Sequence, residues 1–433
     1  MKRFLTACAA VLVAASPAQA SAVGQASADS LALDDVLAAA RERNPRLHAL
    51  RAVAEGAAYR EPAASTLPDP MVQLGIMNFG LPSFNADMPT SMAPSVQVMQ
   101  TIPFPGKLSI RGDIASYESE MAGTVVGEAE WEVRSMASGM FYDLYGLDRR
   151  LEVMGETLSL LQDFQQVAKA MYVSGMGRQA DVLRADVEVA RMDGDIRAMR
   201  AMRITMAARL NGLLDRPADT PVPPPMLGHL SMTIPPADTL AAWARESRPL
   251  LEHGRLGVAQ ARRRTDLARR DFWPDLTLGV NYGQRNPGTG TERMGSVMVG
   301  FSIPVFASRR QSALRDAALA MERMAQAELG SREAGVRARI GEIMAELDRS
   351  RSLVRLYADE VIPEAKATVE SALSSYRVGA VDFMTLVDAQ MTVNRFEGEY
   401  FQLLGEYGKA YTALESVVGR SLPPSAPILV ETR

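Results

Sequence analysis

Apolar residues alternate with small or polar residues in two runs between residues 273 and 304. The first run covers residues 276–283 and the second covers residues 296–303, with a turn rich in Gly, Asn and Pro at Asn286 to Gly290 between them. This alternation predicts a β-hairpin. Each strand is roughly eight to ten residues long, close to what a tilted strand needs to cross a bilayer. The alternative is a water-soluble hairpin with one buried face.

The same pattern occurs earlier in the chain. Leu67-Pro68-Asp69 reappears as Trp273-Pro274-Asp275, and Ser95-Val96 through Ile102-Pro103 reappears as Ser296-Val297 through Ile303-Pro304. The spacing is roughly two hundred residues each time, which indicates an internal duplication. The first copy therefore predicts two further strands, whose apolar positions are Val72, Leu74, Ile76, Val96, Val98 and Ile102.

Four strands cannot close a barrel, and lipid does not tolerate the open edges of a sheet because no water satisfies the free backbone groups. A membrane-spanning chain of this kind must therefore oligomerise. A closed barrel needs about eight strands or more, and a trimer would supply about twelve. The sequence pattern itself leaves the stoichiometry open.

Helical segments surround the predicted strands. A proline-free run extends from Lys107 to about Val173 and would form a helix ~100 Å long. We expect a first helix from about Val36 through Asn44-Pro45 to the region of Pro62 and Pro68, capped by Asp34 or Asp35. The remaining predicted helices are Gln179 to Leu214, Thr239 to Arg270, Gln311 to Tyr376 with a bend at Pro363, and Phe383 to Val418. The two shorter helices of each copy can stack end to end beside the long one.

The domain organisation follows from these elements. We expect a secretory signal peptide over residues 1–20, because Lys2 and Arg3 precede an apolar run that ends in Ala18-Gln19-Ala20. Two repeats, 21–216 and 238–418, flank a proline-rich linker over 217–237, and a loose tail covers 419–433. A net charge of −4 argues against a nucleic-acid partner. The single cysteine, Cys8, would leave with the signal peptide, so we expect no disulfide and no thiolate metal site.

These features together resemble the TolC-type outer-membrane efflux channels. The resemblance covers the duplicated plan, the strand-ending Ile102-Pro103-Phe104-Pro105-Gly106, and the Tyr-x-x-Gly breaks at Tyr172/Gly175 and Tyr376/Gly379. It implies a mixed α and transmembrane β fold, in which a homotrimer builds a twelve-stranded barrel in outer-membrane lipid and an α-helical tunnel in the periplasm. The tunnel tip would dock on a periplasmic membrane-fusion adaptor fed by an inner-membrane pump.

One branch of the family is the most similar. Leu67-Pro68-Asp69-Pro70, Met77-Asn78 and Pro103-Phe104-Pro105-Gly106-Lys107-Leu108 resemble the channels that work with heavy-metal pumps of the resistance-nodulation-division class. The implied function is passive conduction of substrate, in particular metal cations, to the exterior. A drug-efflux or protein-secretion channel of the same family and a periplasmic coiled-coil scaffold or adhesin are the alternatives.

The resemblance also implies roles for individual residues. The tip turns correspond to adaptor-docking residues, which are Val173, Ser174, Gly175, Met176, Val378, Gly379 and Ala380. A glycine at such a sharp reversal is needed for its positive φ alone. Asp388 matches an acidic residue that constricts the periplasmic end of the channel, with Asp382 as an outer neighbour. Tyr376 matches a tyrosine that latches this end, but Val381 stands where the family has its arginine partner.

Other chemistry is weakly indicated. Met71, Met77, Met88, Met92 and Met99 cluster around the first hairpin, and thioethers suit Cu(I), but methionine is also a general core filler. His48, His229 and His253 form no metal-binding motif, and we expect no cofactor. No nucleotide-binding glycine loop, nucleophile elbow or paired histidine and carboxylate motif is present, so the chain is not expected to be an enzyme.

Overall fold

The structure is a computed structural model that describes residues 30–78, 81, 91–228, 233–285 and 290–422. The expected signal peptide lies outside the described residues, as do most of the two hairpin loops, Met88, His229 and the tail from residue 423 onward.

Four strands form one antiparallel sheet in the order β1-β2-β3-β4. Their bounds are Met71–Met77, Met92–Ile102, Leu276–Arg285 and Glu292–Phe301. The two predicted hairpins are therefore confirmed. The proline at Pro94 predicts that the first hairpin loop covers Phe79 to Pro94, but this boundary is wrong, because β2 already begins at Met92.

The register gives the sheet two distinct faces. Val98 lies opposite Val72 on one side and Val280 on the other, and Val280 in turn lies opposite Val297. Directly opposite residues of antiparallel strands share a face, so one face is mainly apolar. We call this the apolar face; Gln100 and Gly295 also lie on it, and its apolar residues are Val72, Leu74, Ile76, Val96, Val98, Ile102, Leu276, Leu278, Val280, Tyr282, Val297, Val299 and Phe301. The polar face includes Gln73, Gly75, Ser95, Gln97, Thr101, Thr277, Gly279, Asn281, Ser296 and Gly300.

The first predicted helix is divided into three. Its parts are α1 (Leu33–Arg43), α2 (Pro45–Ala58) and α3 (Arg60–Ser65). Asn44 takes an extended conformation because the following proline disfavours the helical region, and its side chain accepts a hydrogen bond from Arg46 N. The predicted cap was wrong: Ala32 precedes the helix, and Asp34 and Asp35 lie in the first turn, where carboxylates complement the helix dipole.

The remaining helices follow the predicted order. In the first copy, α4 runs over Lys107–Val173, which is 67 residues, and α5 over Gln179–Leu213. The second copy contains α6 (Ala237–Ser247), α7 (Pro249–Arg270), α8 (Arg310–Leu356), α9 (Ile362–Arg377) and α10 (Phe383–Val418). The second long helix changes to a π-helical turn over Tyr357–Val361, next to Pro363, whose ring nitrogen cannot donate to the preceding turn. None of the helices in the described ranges is long and apolar enough to span a bilayer.

The short helices stack end to end, as the lengths predicted. In the first copy, Asn44 Nδ2 between α1 and α2 donates to the carbonyl oxygen of Leu213 at the end of α5, at 3.0 Å. In the second copy, Arg248 Nη1 between α6 and α7 donates to the carbonyl oxygen of Val417 near the end of α10, at 3.2 Å. The two copies therefore form the same junction with different side chains.

The apolar core runs along the helical body. Near the stacked junctions, one cluster gathers Leu47, Phe141 and Leu210 and another gathers Leu240, Ile340 and Tyr407. A third cluster lies toward the far end and contains residues of α4, α5, α9 and α10. The ends of α4 and α9 are thus held side by side.

Candidate functional site

The two tip turns have the same backbone geometry. Gly175 and Gly379 have φ values of 74° and 75°. In the first turn Met176 N donates to Met171 O, and in the second Ala380 N donates to Ser375 O, both at 2.9 Å. These bonds close the ends of α4 and α9 in the manner of a glycine-terminated helix. The predicted need for a positive φ at both glycines is confirmed.

The tips present apolar side chains to solvent. Val173 is 85% exposed and Val378 is 78% exposed. Ser174, Gly175, Met176, Gly379 and Ala380 are also exposed or half-buried. Their adaptor-docking role stays a prediction.

The core places the two tips next to each other. Phe164 and Ala168 near the end of α4 share one buried cluster with Tyr376, Phe383 and Leu386 on either side of the second turn. The Tyr376 and Phe383 rings meet edge to face with centroids 5.6 Å apart. Both turns therefore form one end surface, which sequence reasoning reached only through the family resemblance.

Tyr376 lies inside this core. Its ring is buried, and its hydroxyl has no hydrogen-bond partner among the described residues. Burial raises the pKa of the Tyr376 hydroxyl, and the Asp181 carboxylate at the start of α5 raises it further. Within a single chain, Tyr376 therefore packs against α4 and α5 rather than facing an open surface. Its latch role stays a prediction.

Asp382 acts on its own helix. Its Oδ1 accepts hydrogen bonds from Thr385 N at 2.9 Å and from Thr385 Oγ1 at 2.7 Å, which caps α10. These two bonds lower the pKa of Asp382, and the Arg184 and Arg178 guanidiniums lower it further. The carboxylate is thus committed to the cap, and its role beside a constriction stays a prediction.

Asp388 lies nearly two turns further along α10, in an acidic groove. The groove runs between α10 and the segment formed by the π-helical turn and α9, and Glu360, Glu364 and Asp388 line it together with Thr385 and Thr392. All three carboxylate residues are exposed. Sequence reasoning found Asp388 but missed Glu360 and Glu364, which approach it only because α9 packs against α10.

A second polar centre joins the sheet to the helical body. Lys107 at the start of α4 is 3% exposed, and its Nζ lies 2.9 Å from Asp275 Oδ1 and 3.3 Å from an Asp271 oxygen. Asp275 also accepts a hydrogen bond from Phe104 N at 2.8 Å. The Phe104 ring stacks on Trp273 with centroids 5.2 Å apart. We call this set of five residues the strand–helix joint.

The strand–helix joint changes the pKa of Asp275. Partial burial raises the pKa of Asp275, but hydrogen bonds from Lys107 and from the Phe104 N–H outweigh it, so that the net shift is downward. No group of His, Cys, Asp and Glu side chains in the described ranges is arranged to hold a metal ion.

An amphipathic sheet with two open edges, tied to a helical body that ends in paired glycine turns, defines a class of protein. It is the architecture of a subunit that contributes strands to a membrane barrel and helices to a tunnel.

The comparisons with known proteins agree with this class. Residues 240–420 match the family model described as "Outer membrane efflux protein". The cobalt-zinc-cadmium resistance protein CzcC of Cupriavidus metallidurans is 22% identical over 318 residues, which are 73% of this chain and 74% of that protein. Nodulation protein T of Rhizobium leguminosarum bv. trifolii is 22% identical over 306 residues, which are 66% of this chain and 62% of that protein.

Solved structures share the fold. The CusC channel superimposes with a TM-score of 0.78 at 14% identity, over 90% of this chain and 92% of CusC. The outer-membrane channel OprN gives a TM-score of 0.76 at 17% identity, over 89% of each chain. VceC of Vibrio cholerae gives 0.75 at 15% identity, over 90% of this chain and 96% of VceC.

The family match covers less than half of the chain, and the solved structures share its fold at 14–17% identity. The described residues therefore have the fold of these channel subunits, a four-stranded sheet joined to a long helical body.

Proposed function

We propose that three copies of this chain form the outer-membrane exit channel of a tripartite efflux system, which passively conducts metal cations from an adaptor and an inner-membrane pump to the exterior. The observation that carries the proposal is the sheet itself, in which β1 and β4 are open edges and the apolar face is exposed on all four strands. Lipid cannot satisfy open edges, so another copy must pair with each of them. Three sheets of four strands give a barrel of about twelve, wide enough for a water-filled lumen.

The internal duplication supports a specific way of closing the barrel. Within one chain, β2 pairs with β3 so that Ile102 lies opposite Leu276 and Val98 lies opposite Val280. Ile303 is the counterpart of Ile102, and alignment on the shared Pro-Asp pair (Pro68-Asp69 and Pro274-Asp275) makes Pro70 the counterpart of Leu276. Repeating the β2–β3 register between β4 of one subunit and β1 of the next then places Val299 opposite Leu74, and Gly300 opposite Gln73.

The faces support the same register. It continues the apolar face across the subunit boundary, because Val297, Val299 and Phe301 meet Ile76, Leu74 and Val72. A slip by one residue would instead set the apolar face of one subunit beside the polar face of the next.

The strand–helix joint supports this arrangement as well. Asp69 is the counterpart of Asp275, and Ser308 is the counterpart of Lys107, with Arg309 and Arg310 directly after it. Asp69, Arg309 and Arg310 are exposed, as are Leu67 and Phe306. In the proposed trimer, Asp69 of one subunit and Arg309 or Arg310 of the next supply the opposite charges of an intersubunit joint.

The tunnel end is proposed to serve two purposes. The apolar tips at Val173, Met176 and Val378 suit docking on a periplasmic adaptor. The acidic groove at Glu360, Glu364 and Asp388 suits attraction of cations where the three subunits converge, because a ring of like carboxylates concentrates positive ions.

The substrate class rests on the relatives. CzcC is named as a cobalt-zinc-cadmium resistance protein. The acidic groove should attract cations more than anions or neutral drugs. A drug-efflux channel is therefore the second candidate function, and a protein-secretion channel is the third.

Deletion of the gene tests the proposal. The deleted strain and a strain complemented on a plasmid are compared for growth inhibition by a panel of Co(II), Zn(II), Cd(II), Cu and Ag salts and by a panel of organic antibiotics and dyes. We expect several-fold hypersensitivity to at least one metal, restored by complementation. Hypersensitivity to the organic compounds alone would favour the drug-efflux channel. Release of the protein by osmotic shock without detergent would favour the scaffold or adhesin.

A further inference from the structure

Six methionines lie on the polar face of the sheet. Met71, Met99 and Met298 are in one cross-strand row, since Met71 lies opposite Met99, Met99 opposite Gly279, and Gly279 opposite Met298. The others are Met77, Met92 and Met294. Sequence reasoning noticed the methionines of the first hairpin, but it could not find the row, because half of the row comes from the second copy.

The first row converges over a glycine. A Cβ atom placed on Gly279 would lie 3.3 Å from Met298 Cε and 3.6 Å from Met99 Cγ. Both thioether side chains therefore lean into the space that Gly279 leaves open. Met71 lies on the far side of Met99, where opposite Cβ atoms are about 4.5–5.5 Å apart.

A second row repeats this arrangement. A Cβ atom on Gly283 would lie 3.3 Å from Met92 Sδ, and Met294 lies opposite Gly283 in the register. Gly283 is four residues along β3 from Gly279, so the two rows are about 13 Å apart along the strand. Both rows thus place methionine side chains against a glycine of β3, at two positions along the same face of the sheet.

Met92 is 8% exposed and packs like a core residue, but Met71, Met294 and Met298 do not. Met71, Met294 and Met298 are 55%, 44% and 40% exposed, whereas Met192 in the helical core is 2% exposed. They also lie on the face opposite the lipid, which in a closed barrel borders the water-filled lumen. An apolar side chain gains little there from burial, so the sulfur atom is the feature that distinguishes these positions from the neighbouring Gln, Ser and Thr.

We propose that the two methionine rows bind Cu(I) or Ag(I) transiently on the inner wall of the barrel. Thioether sulfur is a soft ligand that selects Cu(I)-type ions over Zn(II), Co(II) or Mg(II). Two or three thioethers without a thiolate or an imidazole form a weak site. Weak sites in series suit conduction, because an ion must be able to leave each one. The proposal rests on the proposed barrel, in which the polar face lines the lumen, and it narrows the substrate class to soft monovalent cations.

Two sulfurs already have amide partners. Met71 Sδ accepts a hydrogen bond from Gln73 Nε2, and Met77 Sδ accepts one from Asn281 Nδ2, both at 3.3 Å. Such bonds are weak, and Gln73 is exposed, so its amide can turn to water when Met71 takes up an ion. In the first row, Met99 and Met298 are the principal ligands and Met71 is the third.

Silver titration of the purified full-length channel tests the inference. Ag(I) is added to detergent-solubilised protein in nitrate buffer and binding is followed by calorimetry, with Zn(II) as the comparison ion. The test variant carries Met71→Leu, Met99→Leu and Met298→Leu, which conserve side-chain volume. The matched control carries Met199→Leu, Met202→Leu and Met206→Leu, three substitutions on α5. Met298→Leu alone serves if the triple variant fails to assemble.

The expected result is Ag(I) binding by the native channel and by the α5 control, with at least tenfold weaker binding or the loss of one site per chain in the row variant. Zn(II) should not compete. Equal Ag(I) binding by the row variant and the native channel, or equal losses in both variants, would overturn the assignment. Single-channel conductance in KCl distinguishes a failure of the metal site from a failure of the proposed function. A native protein that conducts ions but binds no Ag(I) refutes only the methionine rows. A protein that forms no channel refutes the proposed function.

Discussion

Lys107 Nζ and Asp275 Oδ1 are 2.9 Å apart, although 168 residues separate them in the sequence. The bond joins the first residue of α4, in the first copy, to the residue directly before β3, in the second copy. Lys107 also donates to the carbonyl oxygen of Trp273 at 3.1 Å. The buried ammonium thus fixes where the long helix leaves the sheet, and so relates the barrel strands to the tunnel.

Removal of the Lys107 ammonium should lower the stability of the oligomer. Lys107→Met keeps the length of the side chain but leaves Asp275 and Asp271 without their cation. Breaking a fully buried pair costs about 3–5 kcal/mol. The aspartates here are partly exposed, so we expect roughly 1–3 kcal/mol after allowance for solvent screening. Thermal dissociation of the detergent-solubilised oligomer measures the change.

Two comparisons make this result interpretable. Arg315→Met removes an exposed ion pair with Asp316 and should change stability by no more than about 0.5 kcal/mol. Acid should abolish the effect of Lys107→Met. The lowered pKa of Asp275 means that its stabilising charge is present above the ordinary value of 3.8 and is lost as the pH falls through the lower folded-state value. A difference between native protein and Lys107→Met that persists unchanged through this acid range would contradict the ion-pair explanation.

The sequence predicted the elements better than their contacts. Periodicity located all four strands and the 67-residue α4, because these features repeat locally along the chain. It did not locate the breaks at Asn44 and Arg248 within the expected helices, although a following proline signals each one. The groove that unites Glu360 and Asp388, the strand–helix joint and the methionine rows all depend on long-range packing. Residue spacing alone carries no signal for them.

The tip glycines should be sensitive to a single methyl group. Gly175→Ala and Gly379→Ala place a Cβ on residues whose φ is near +75°, which should destabilise each turn by about 1–2 kcal/mol. Gly155→Ala is the matched control, since Gly155 lies within α4 with open space around it and should gain roughly 0.5–1 kcal/mol. Hydrogen exchange of the amides around each turn reports the local stability. Similar exchange in Gly155→Ala and Gly175→Ala would show that the turns do not require a positive φ.

The two faces of the sheet should differ in their tolerance of charge. Val280→Arg and Val299→Arg place a cation on the apolar face and should impair insertion by about 2–4 kcal/mol each near the middle of the bilayer. Thr277→Arg and Ser296→Arg are on the polar face and should insert normally. Ser302→Arg is a poorer control, because Ser302 Oγ accepts a hydrogen bond from Asp275 N at 3.0 Å. Outer-membrane fractionation gives the yield of each variant, and equal yields for all four would mean that the faces are wrongly assigned.

Asp388 should influence ion selectivity. Asp388→Asn removes one carboxylate per subunit from the acidic groove and should lower the preference for cations over anions in planar bilayers. The effect should be larger in dilute salt, because the Debye length shortens to about 10 Å at 0.1 M. Asp316→Asn on α8 is the control, with its carboxylate exposed beside Arg315. An unchanged reversal potential for Asp388→Asn in dilute salt would leave Asp388 as a solvated surface carboxylate.

In the proposed trimer, β4 of one subunit pairs with β1 of the next. Outside the expected signal peptide the chain has no cysteine, so introduced cysteines can be cross-linked without interference. Gln73→Cys and Gly300→Cys lie on the polar face, at opposite edges of the sheet. Within one chain, three strand spacings of about 4.8 Å separate those edges, so a disulfide between them must join two subunits.

Mild oxidation of the double variant, followed by non-reducing electrophoresis, therefore tests whether these two strands pair between subunits. We predict covalent dimers and trimers that reduction returns to monomers, and much less product from Gln73→Cys with Met298→Cys, in which the second cysteine is one pair out of register. Absence of intersubunit product, or product only from the shifted pair, would contradict the account.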